Sequence, residues 1–297
     1  MKGILYVAAT PIGNLKDITL RAIEVLQESD FLVAESRQRA LNLLNHFNIK
    51  KPVLQISSYT EERKARAIVG QLQSGRQGVL ITGAGTPCIS DPGMILVKRC
   101  YDAGVEVRAV PGPSAALAAL AISGLTVDRF IFYGFLPLKR GKKKKVLQHL
   151  LDLTYTIVLF ESPRRVIDTL NIVHELSPDR LVAVAREMTK VYEEVLRGPI
   201  GEVIETLEGG DLKGEFTIIV EGQKSAPPAN HALVSVEGKE EHEVDEDDRR
   251  PRRKVQKKGK KYPPQYGDDG TGSSNKHGSP ETAGNLKGAY GRDDEKG

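Results

Sequence analysis

The feature that most constrains the fold is a regular alternation of two kinds of segment. Short β-branched or aromatic runs, which predict strands, alternate with longer amphipathic runs, which predict helices. This alternation favours an α/β fold with largely parallel sheets, and a run such as "VLIT" predicts a strand that is buried on both faces. The predicted strands are, in chain order, "ILYVAA", "DFLVAE", "PVLQIS", "GVLIT", "VEVRAV", "FIFYGF", "YTIVLFE", "RLVAVAR" and "EFTIIVEG".

The strands fall into two groups on either side of "VPGPSAALAALAISGL", residues 110–125. Five strand–helix units precede this segment and about four follow it. We therefore predict two α/β domains with a cleft between them, an N-terminal domain at residues 1–112 and a C-terminal domain at residues 113–222.

The composition changes abruptly beyond this second domain. Only six of the 74 residues from Lys224 to Gly297 are Leu, Ile, Val or Phe. Burial of so few apolar side chains cannot offset the entropy lost when a chain becomes ordered. We therefore expect residues 223–297 to form a disordered, low-complexity charged tail.

Several features indicate a cytoplasmic protein without a metal centre. The two cysteines, Cys88 and Cys100, lack metal-ligand spacing, and the start "MKGILYVAATPIGNL" lacks the cleavage-site pattern of a signal peptide. No apolar stretch approaches the roughly 20 residues that span a bilayer.

The loops that follow the predicted strands are the candidate functional segments, because ligands of open α/β sheets bind beyond the carboxyl ends of strands. These loops are rich in glycine, proline and hydroxyl residues, which let a ligand approach the backbone closely. Each could also be an ordinary tight turn before a helix, but several at one edge of the sheets favour a ligand cleft. Neither a dinucleotide fingerprint nor a P-loop is present. The loops include "ATPIGNL", "GAGTPCISDPG", "PGPSA", "ESPRR" and "REMTKVYEE".

Motifs spread over residues 4–222 together resemble the ribosomal RNA small subunit methyltransferase I family of the tetrapyrrole-methylase superfamily. They distinguish this branch from precorrin methylases and diphthine synthases, which share the fold but lack "TPIGNL…D" and "FESPRR". The motifs are "LYVAATPIGNLKDITLRAIEVLQESDFLVAE", "GTPCISDPG", "VPGPSA", "YGFLP", "LFESPRR", "AREMTKVYEEVLRG" and "KGEFTIIVEG".

The resemblance implies a homodimeric enzyme that uses S-adenosylmethionine to methylate the 2′-hydroxyl of a cytidine in 16S rRNA, near the decoding centre. The partners would then be 16S rRNA or the small ribosomal subunit. The methyl donor would lie in the cleft between the two domains. The expected donor-binding residues are Pro11, Gly85, Thr86, Pro87, Pro111, Ser114 and Ala115.

The sequence departs from its relatives at two places in the expected site. Relatives usually have "DAGTP" where this chain has Gly83, and "AEDTR" where it has "AESRQ", with Ser36, Arg37 and Gln38. Three functions therefore remain open: an active rRNA methyltransferase, a catalytically impaired RNA-binding homologue of the same fold, or a methyltransferase for a tetrapyrrole or a protein. The lysine run described below disfavours the last, because a small substrate needs no extended basic surface.

Two residues are candidates for chemistry at the acceptor hydroxyl, which is a weak nucleophile and benefits from a base or a nearby cation. Glu35 ends the second predicted strand, and Lys190 lies in the loop after "LVAVAR". We expect both near the acceptor, although each could instead cap a helix or form a salt bridge.

Two basic segments are candidates for RNA contact. The run "KRGKKKK" opens a predicted helix after "YGFLP" and includes Lys142, Lys143, Lys144 and Lys145. Such a run can be a solvated helix face, but beside a cleft it would attract the RNA backbone. Arg164 and Arg165 of "ESPRR" follow a strand directly and suit phosphate binding.

Overall fold

The protein is described by a computed structural model that covers residues 3–223 of the 297. Its first sheet has five parallel strands in the order β3-β2-β4-β1-β5. The central strand β1 pairs Leu5 with Gly78 on one side and with Val107 on the other. The strands are β1 (Ile4–Ala8), β2 (Phe31–Ala34), β3 (Val53–Gln55), β4 (Gly78–Ile81) and β5 (Glu106–Val110).

Four helices cover the two faces of this sheet. Ala22 and Leu26 of α1 and Leu43 of α2 pack on one face, whereas Leu72 of α3 and Leu96 of α4 pack on the other. Both faces of β2 and β4 are consequently buried, as their uninterrupted apolar runs predict. The helices are α1 (Leu20–Glu28), α2 (Arg37–His46), α3 (Glu61–Gln73) and α4 (Met94–Asp102).

The second sheet also has five strands, in the order β6-β7-β10-β8-β9. Only β6 and β7 are parallel; β10 runs antiparallel between β7 and β8, and β9 is antiparallel to β8. The strands are β6 (Phe130–Phe135), β7 (Thr156–Glu161), β8 (Leu181–Arg186), β9 (Glu194–Pro199) and β10 (Phe216–Val220).

The expectation of largely parallel sheets is therefore correct for the first sheet and wrong for the second. Strand β9 was also missing from the prediction. The loop that joins β8 to β9, residues 187–193, is too short for the crossover that a parallel pair requires, so the chain turns back and pairs antiparallel.

Helix α5 follows the first sheet in sequence but packs on the second. Its Ala116, Ala119 and Leu120 contact one face, together with Ile12 from the loop after β1. The opposite face is covered by α6, α7 and α8, which form the largest apolar cluster. The helices are α5 (Ala115–Ile122), α6 (Arg140–Leu151), α7 (Val166–Leu176) and α8 (Ile200–Glu208).

The α/β fold with two sheets is confirmed. The predicted boundary at residues 112 and 113 falls between the end of β5 at Val110 and the start of α5 at Ala115, and it stays a prediction. The predicted tail lies, from Lys224 onward, outside the described residues. Within residues 3–223, no helix combines the length and apolarity needed to cross a bilayer.

Candidate active site

The site lies at the point in the first sheet where the helices after two neighbouring strands pack on opposite faces. Strands β1 and β4 are neighbours, but α1 packs on one face of the sheet and α4 on the other. The loops that leave these two strands therefore diverge and open a crevice at the carboxyl edge, which is where open α/β sheets bind ligands.

The loop after β4 has a backbone that few sequences can adopt. Gly85 and Gly93 have φ of 76° and 133°, and the non-glycine residues Cys88 and Ser90 have φ of 70° and 68°. A Cβ at Gly93 would lie 2.7 Å from Cδ2 of Leu80, so only glycine fits there. Residues other than glycine rarely adopt positive φ, and such backbone strain is concentrated at binding sites.

Hydrogen bonds join this loop to two others. Thr10 and Gly85 exchange reciprocal backbone N–H···O bonds of 2.9 Å, which connect the loops after β1 and β4. The Thr86 hydroxyl donates to the Pro113 carbonyl at 3.3 Å and connects the loop after β5. Ser114 caps α5 by accepting from the backbone N–H of Leu117, as its position before an apolar run predicts.

A cavity of about 360 Å³ lies between these loops and the carboxyl edge of the second sheet. Its size falls within the roughly 300–1,000 Å³ of small-molecule sites. Apolar side chains line much of it, namely Ile12, Ile89, Phe135, Phe160 and Met188. A second cavity of about 240 Å³ adjoins it and is lined by Pro11, Ile12, Gly13, Leu15, Arg39, Gly83, Ala84, Lys190 and Glu215.

The expected donor-binding residues are distributed unevenly over these cavities. The larger cavity is lined by Gly85, Thr86, Ser114 and Ala115, and Pro11 lines the smaller one. Pro87 is buried and Pro111 is exposed, and neither lines a cavity. Their assignment to the donor has no support from the cavity geometry, whereas the other five residues stay candidates.

Two carboxylates from the first sheet face the larger cavity. Glu35 is exposed at the end of β2, and Asp91 lies in the loop after β4. Burial raises the pKa of Asp91, and the Glu35 carboxylate raises it further. The Thr82 hydroxyl and the Arg39 guanidinium act in the opposite direction, although the Thr82 Oγ1, which is buried, forms no hydrogen bond of ordinary length within residues 3–223.

Lys190 is held by carboxylates beside the smaller cavity. Its Nζ lies 2.7 Å from Oε1 of Glu187 and 3.1 Å from Oε2 of Glu215. Burial lowers the pKa of Lys190, but these two carboxylates outweigh it and raise the pKa above 10.5. Lys190 is consequently an ammonium at neutral pH, able to stabilise negative charge but unable to accept a proton.

The lysine run does begin a helix, α6, but its members have different surroundings. Lys143 is 2% exposed, and its Nζ donates to Asp168 and to the Thr169 hydroxyl, both at 2.9 Å. The RNA-binding assignment of Lys143 is therefore wrong, because its ammonium lies between α6 and α7 rather than at the surface. Lys144 pairs with Glu175 at 2.9 Å, whereas Lys142 and Lys145 are exposed.

The two arginines of "ESPRR" also differ. Arg165 donates to the carbonyls of Leu136 and Pro137 and lies 3.3 Å from the fully buried Glu161 carboxylate. These contacts tie the start of α7 to the end of β6, so Arg165 has a structural role. Arg164 is exposed, with no hydrogen bond or ion pair to any residue in 3–223, and stays a candidate for phosphate.

Sequence reasoning gave no site role to four charged residues that line the larger cavity: Arg39, Asp91, Glu161 and Glu215. Glu161 and Glu215 flank the antiparallel pair β7–β10, and Phe216 pairs with Glu161 across it. Because the sheets were expected to be largely parallel, Glu215, which directly precedes β10, was not placed at this edge. Arg39 lies in the first turn of α2, and no motif singled it out.

The fold and the cleft define a methylase of the tetrapyrrole type. The family model of Tetrapyrrole (Corrin/Porphyrin) Methylases matches residues 4–204, so the chain belongs to this family. Members of the family use S-adenosylmethionine as methyl donor. Among solved structures, the native form of uroporphyrin III C-methyltransferase from Thermus thermophilus shares the fold, with a TM-score of 0.54 and 18% identity over 74% of this chain and 97% of that one.

Two relatives from different bacteria carry the same name. The chain is 43% identical over 223 residues to the ribosomal RNA small subunit methyltransferase I of Thermotoga maritima, which covers 75% of this chain and 100% of the relative. It is 42% identical over 226 residues to the protein of that name from Pasteurella multocida, covering 75% and 80%. The resemblance inferred from the motifs is thereby confirmed.

Proposed function

We propose that this chain transfers a methyl group from S-adenosylmethionine to the 2′-hydroxyl of a cytidine in 16S rRNA, near the decoding centre. The observation that carries the proposal is the cavity at the crevice between β1 and β4, in a chain that matches small subunit methyltransferases I over the whole of one relative. In the reaction the C–S bond of the sulfonium breaks and an O–CH₃ bond forms. The products are S-adenosylhomocysteine, the methylated ribose and a proton.

The larger cavity suits the methyl donor by charge as well as by size. Four carboxylates line it, those of Glu35, Asp91, Glu161 and Glu215, against one cation among the described lining residues, Arg39. Glu161 and Glu215 have ion-pair partners outside that lining, so Glu35 and Asp91 carry the negative charge that is left for a ligand. A sulfonium and an ammonium are both stabilised in such surroundings. The apolar side chains around the carboxylates would hold the adenosine part and exclude water.

The acceptor hydroxyl would be activated by a carboxylate of the first sheet. Glu35 was the candidate from the sequence, and Asp91 shares its cavity and has the raised pKa that suits a general base. The Lys190 ammonium would stabilise negative charge that develops on the ribose oxygen, or hold a phosphate next to it. A donor that is already activated needs little more than alignment, which supplies much of the acceleration.

The RNA would contact exposed cations on α6 and in the segment before α7. Lys142 and Lys145 on α6 and Arg164 before α7 are exposed, and Lys144 keeps part of its surface despite its ion pair. Contacts of this kind recognise the phosphate backbone without reading sequence.

A homodimer and a cytoplasmic location belong to the same proposal. Strand β6 is at the edge of the second sheet and exposes Phe130, Tyr133 and Phe135. An exposed apolar edge strand is a liability unless another surface covers it, and a second copy of the chain would do so. A substrate in the small ribosomal subunit would place the enzyme in the cytoplasm.

A second candidate function is supported by the departures at Gly83 and Ser36, which replace carboxylates of the relatives. It is an RNA-binding homologue that has lost methyl transfer. Calorimetry with S-adenosylmethionine, followed by single-turnover transfer to small-subunit RNA, distinguishes the two. Donor binding with transfer supports the enzyme, whereas RNA binding without donor binding supports the homologue without activity.

A further inference from the structure

The absence of a side chain at Gly83 makes room for a cation. A Cβ built on Gly83 would lie 2.7 Å from Nη1, 3.3 Å from Cδ and 3.6 Å from Cζ of Arg39. The Arg39 side chain thus passes directly over Gly83, in the space that a side chain at position 83 would fill.

Arg39 lies at the junction of the two cavities. Arg39, Gly83 and Ala84 line both of them, and Ile12 and Glu215 complete the shared wall. A group bound to the guanidinium would therefore contact whatever occupies either cavity.

The guanidinium forms no hydrogen bond or ion pair within residues 3–223. The backbone N–H of Arg39 is capped by the Ser36 hydroxyl, but no such bond there engages its side chain. Two other arginines differ in this respect: Arg37 donates to the Val53 carbonyl, and Arg186 lies 3.4 Å from the Glu194 carboxylate. Five N–H donors in a planar fork are free to bind a carboxylate or a phosphate in a bidentate manner.

An anionic group of a ligand would need the Arg39 cation, because carboxylates surround the site. Four carboxylates line the larger cavity, but Glu161 is paired with Arg165 and Glu215 with Lys190. The remaining two, Glu35 and Asp91, would repel a negatively charged group of a ligand. Lys190, beside the smaller cavity, is already matched by two carboxylates. Among the described residues that line the larger cavity, Arg39 is the one cation. Its charge lowers the pKa of Asp91, but within residues 3–223 it forms no ion pair with a carboxylate.

We propose that Arg39 is an oxyanion-binding residue of this chain, and that its partner is either the carboxylate of the methyl donor or a phosphate of the RNA acceptor. The inference rests on the proposed function, because both anions belong to its substrates. Gly83 is then a specificity-determining position, since a carboxylate there would pair with Arg39 and withdraw it from the ligand.

Three variants test this inference. Arg39→Ala removes the donors, Gly83→Asp adds a competing carboxylate, and Gly83→Ala displaces the guanidinium sterically. The substitutions at position 83 are structurally mild, because the group in the way is the end of a flexible side chain and Gly83 does not have a positive φ. Arg66→Ala is the matched control, since Arg66 is an exposed arginine on α3 that lines neither cavity.

Binding is measured with three probes: S-adenosylmethionine, 5′-methylthioadenosine, which lacks the carboxylate, and small-subunit RNA over a range of salt concentrations. A donor carboxylate predicts that Arg39→Ala weakens S-adenosylmethionine roughly tenfold or more while methylthioadenosine is unaffected. An RNA phosphate predicts weaker RNA binding with a salt slope lower by about 0.7–0.9 and unchanged donor binding. Gly83→Asp should reproduce whichever loss is found, and melting temperatures confirm that each variant is folded.

Affinities within twofold of the wild type for all three probes in folded Arg39→Ala overturn the inference and leave the proposed function intact. The wild-type chain tests the function separately: if it binds neither S-adenosylmethionine nor RNA, the proposed function fails and the inference fails with it.

Discussion

Thr10 and Gly85 exchange two backbone hydrogen bonds of 2.9 Å across the crevice between β1 and β4. This pair fixes the loop that carries Thr86 and Asp91 relative to the loop that carries Ile12, and Thr86 in turn contacts Pro113 before α5. The larger cavity thus has walls that are held in place before any ligand binds, which lowers the entropy lost on binding.

Filling this cavity should weaken the donor specifically. In Thr86→Tyr the ring would enter the space assigned to S-adenosylmethionine, so we expect its affinity to fall roughly tenfold or more, with RNA affinity largely unchanged. Calorimetry and RNA binding measure the two. Thr206→Tyr, on the exposed face of α8, is the control. Donor affinity at the wild-type level in Thr86→Tyr would show that the cavity is wrongly assigned.

Substitutions in the lysine run should affect stability at Lys143 and RNA affinity at Lys142 and Lys145. In Lys143→Met the buried Thr169 hydroxyl loses a hydrogen-bond donor and Asp168 loses an ion-pair partner. The free energy of unfolding should fall by about 1–3 kcal/mol. Lys142→Gln with Lys145→Gln should leave thermal stability unchanged. That pair should lower RNA affinity and reduce the salt slope by roughly 0.7–0.9 for each phosphate that is no longer neutralised. Equal RNA effects from both variants would contradict the assignment.

Adjacent arginines give a second matched pair. Arg165→Ala should lower the melting temperature, because the buried Glu161 loses its ion pair and two carbonyls lose a donor. Arg164→Ala should melt as the wild type does but methylate RNA more slowly in single-turnover assays, since misplacement by about 1 Å can cost on the order of a hundredfold. A lowered melting temperature with normal chemistry in Arg164→Ala would reject its role toward phosphate.

Much of the site could be predicted from where strands end, because parallel strands bring their carboxyl ends to one edge. Gly85, Thr86 and Ser114 were placed in this way. The burial of Lys143 could not be predicted in this way, because its partners Asp168 and Thr169 belong to another helix, α7.

The direction of the strands in the second sheet also could not be predicted from local sequence patterns. The run "EFTIIVEG" predicts a strand equally well in either direction, and its antiparallel placement depends on the tertiary packing between β7 and β8. The position of Arg39 depends on an absent side chain at Gly83, a contact that neither residue's own neighbours indicate.

The pH dependence of the rate can show which of the two carboxylates, Glu35 or Asp91, acts as the general base. Burial and Glu35 raise the pKa of Asp91 above 3.8, so a rate that depends on ionised Asp91 should fall as pH decreases through that raised value. Asp91→Asn should abolish this acid limb together with most of the activity, whereas Glu35→Gln should shift it to lower pH. The opposite pattern would identify Glu35 as the base.

Asp91→Asn should raise the stability of the protein near neutral pH, although it lowers activity. A folded-state pKa that is raised disfavours the ionised carboxylate in the folded protein at every pH above that value, and this penalty vanishes below the unfolded value. Asp91→Asn should therefore raise the melting temperature near neutral pH and have little effect in acid. A lower melting temperature at neutral pH would show that the carboxylate stabilises the loop.

The most direct test of the account is to map 2′-O-methyl groups on small-subunit rRNA after incubation with the purified chain and S-adenosylmethionine. We predict methylation of one cytidine near the decoding centre, lost in Thr86→Tyr and retained in Thr206→Tyr. An RNA that binds the chain but gains no methyl group, or is methylated on a base or at scattered riboses, would contradict the proposed function.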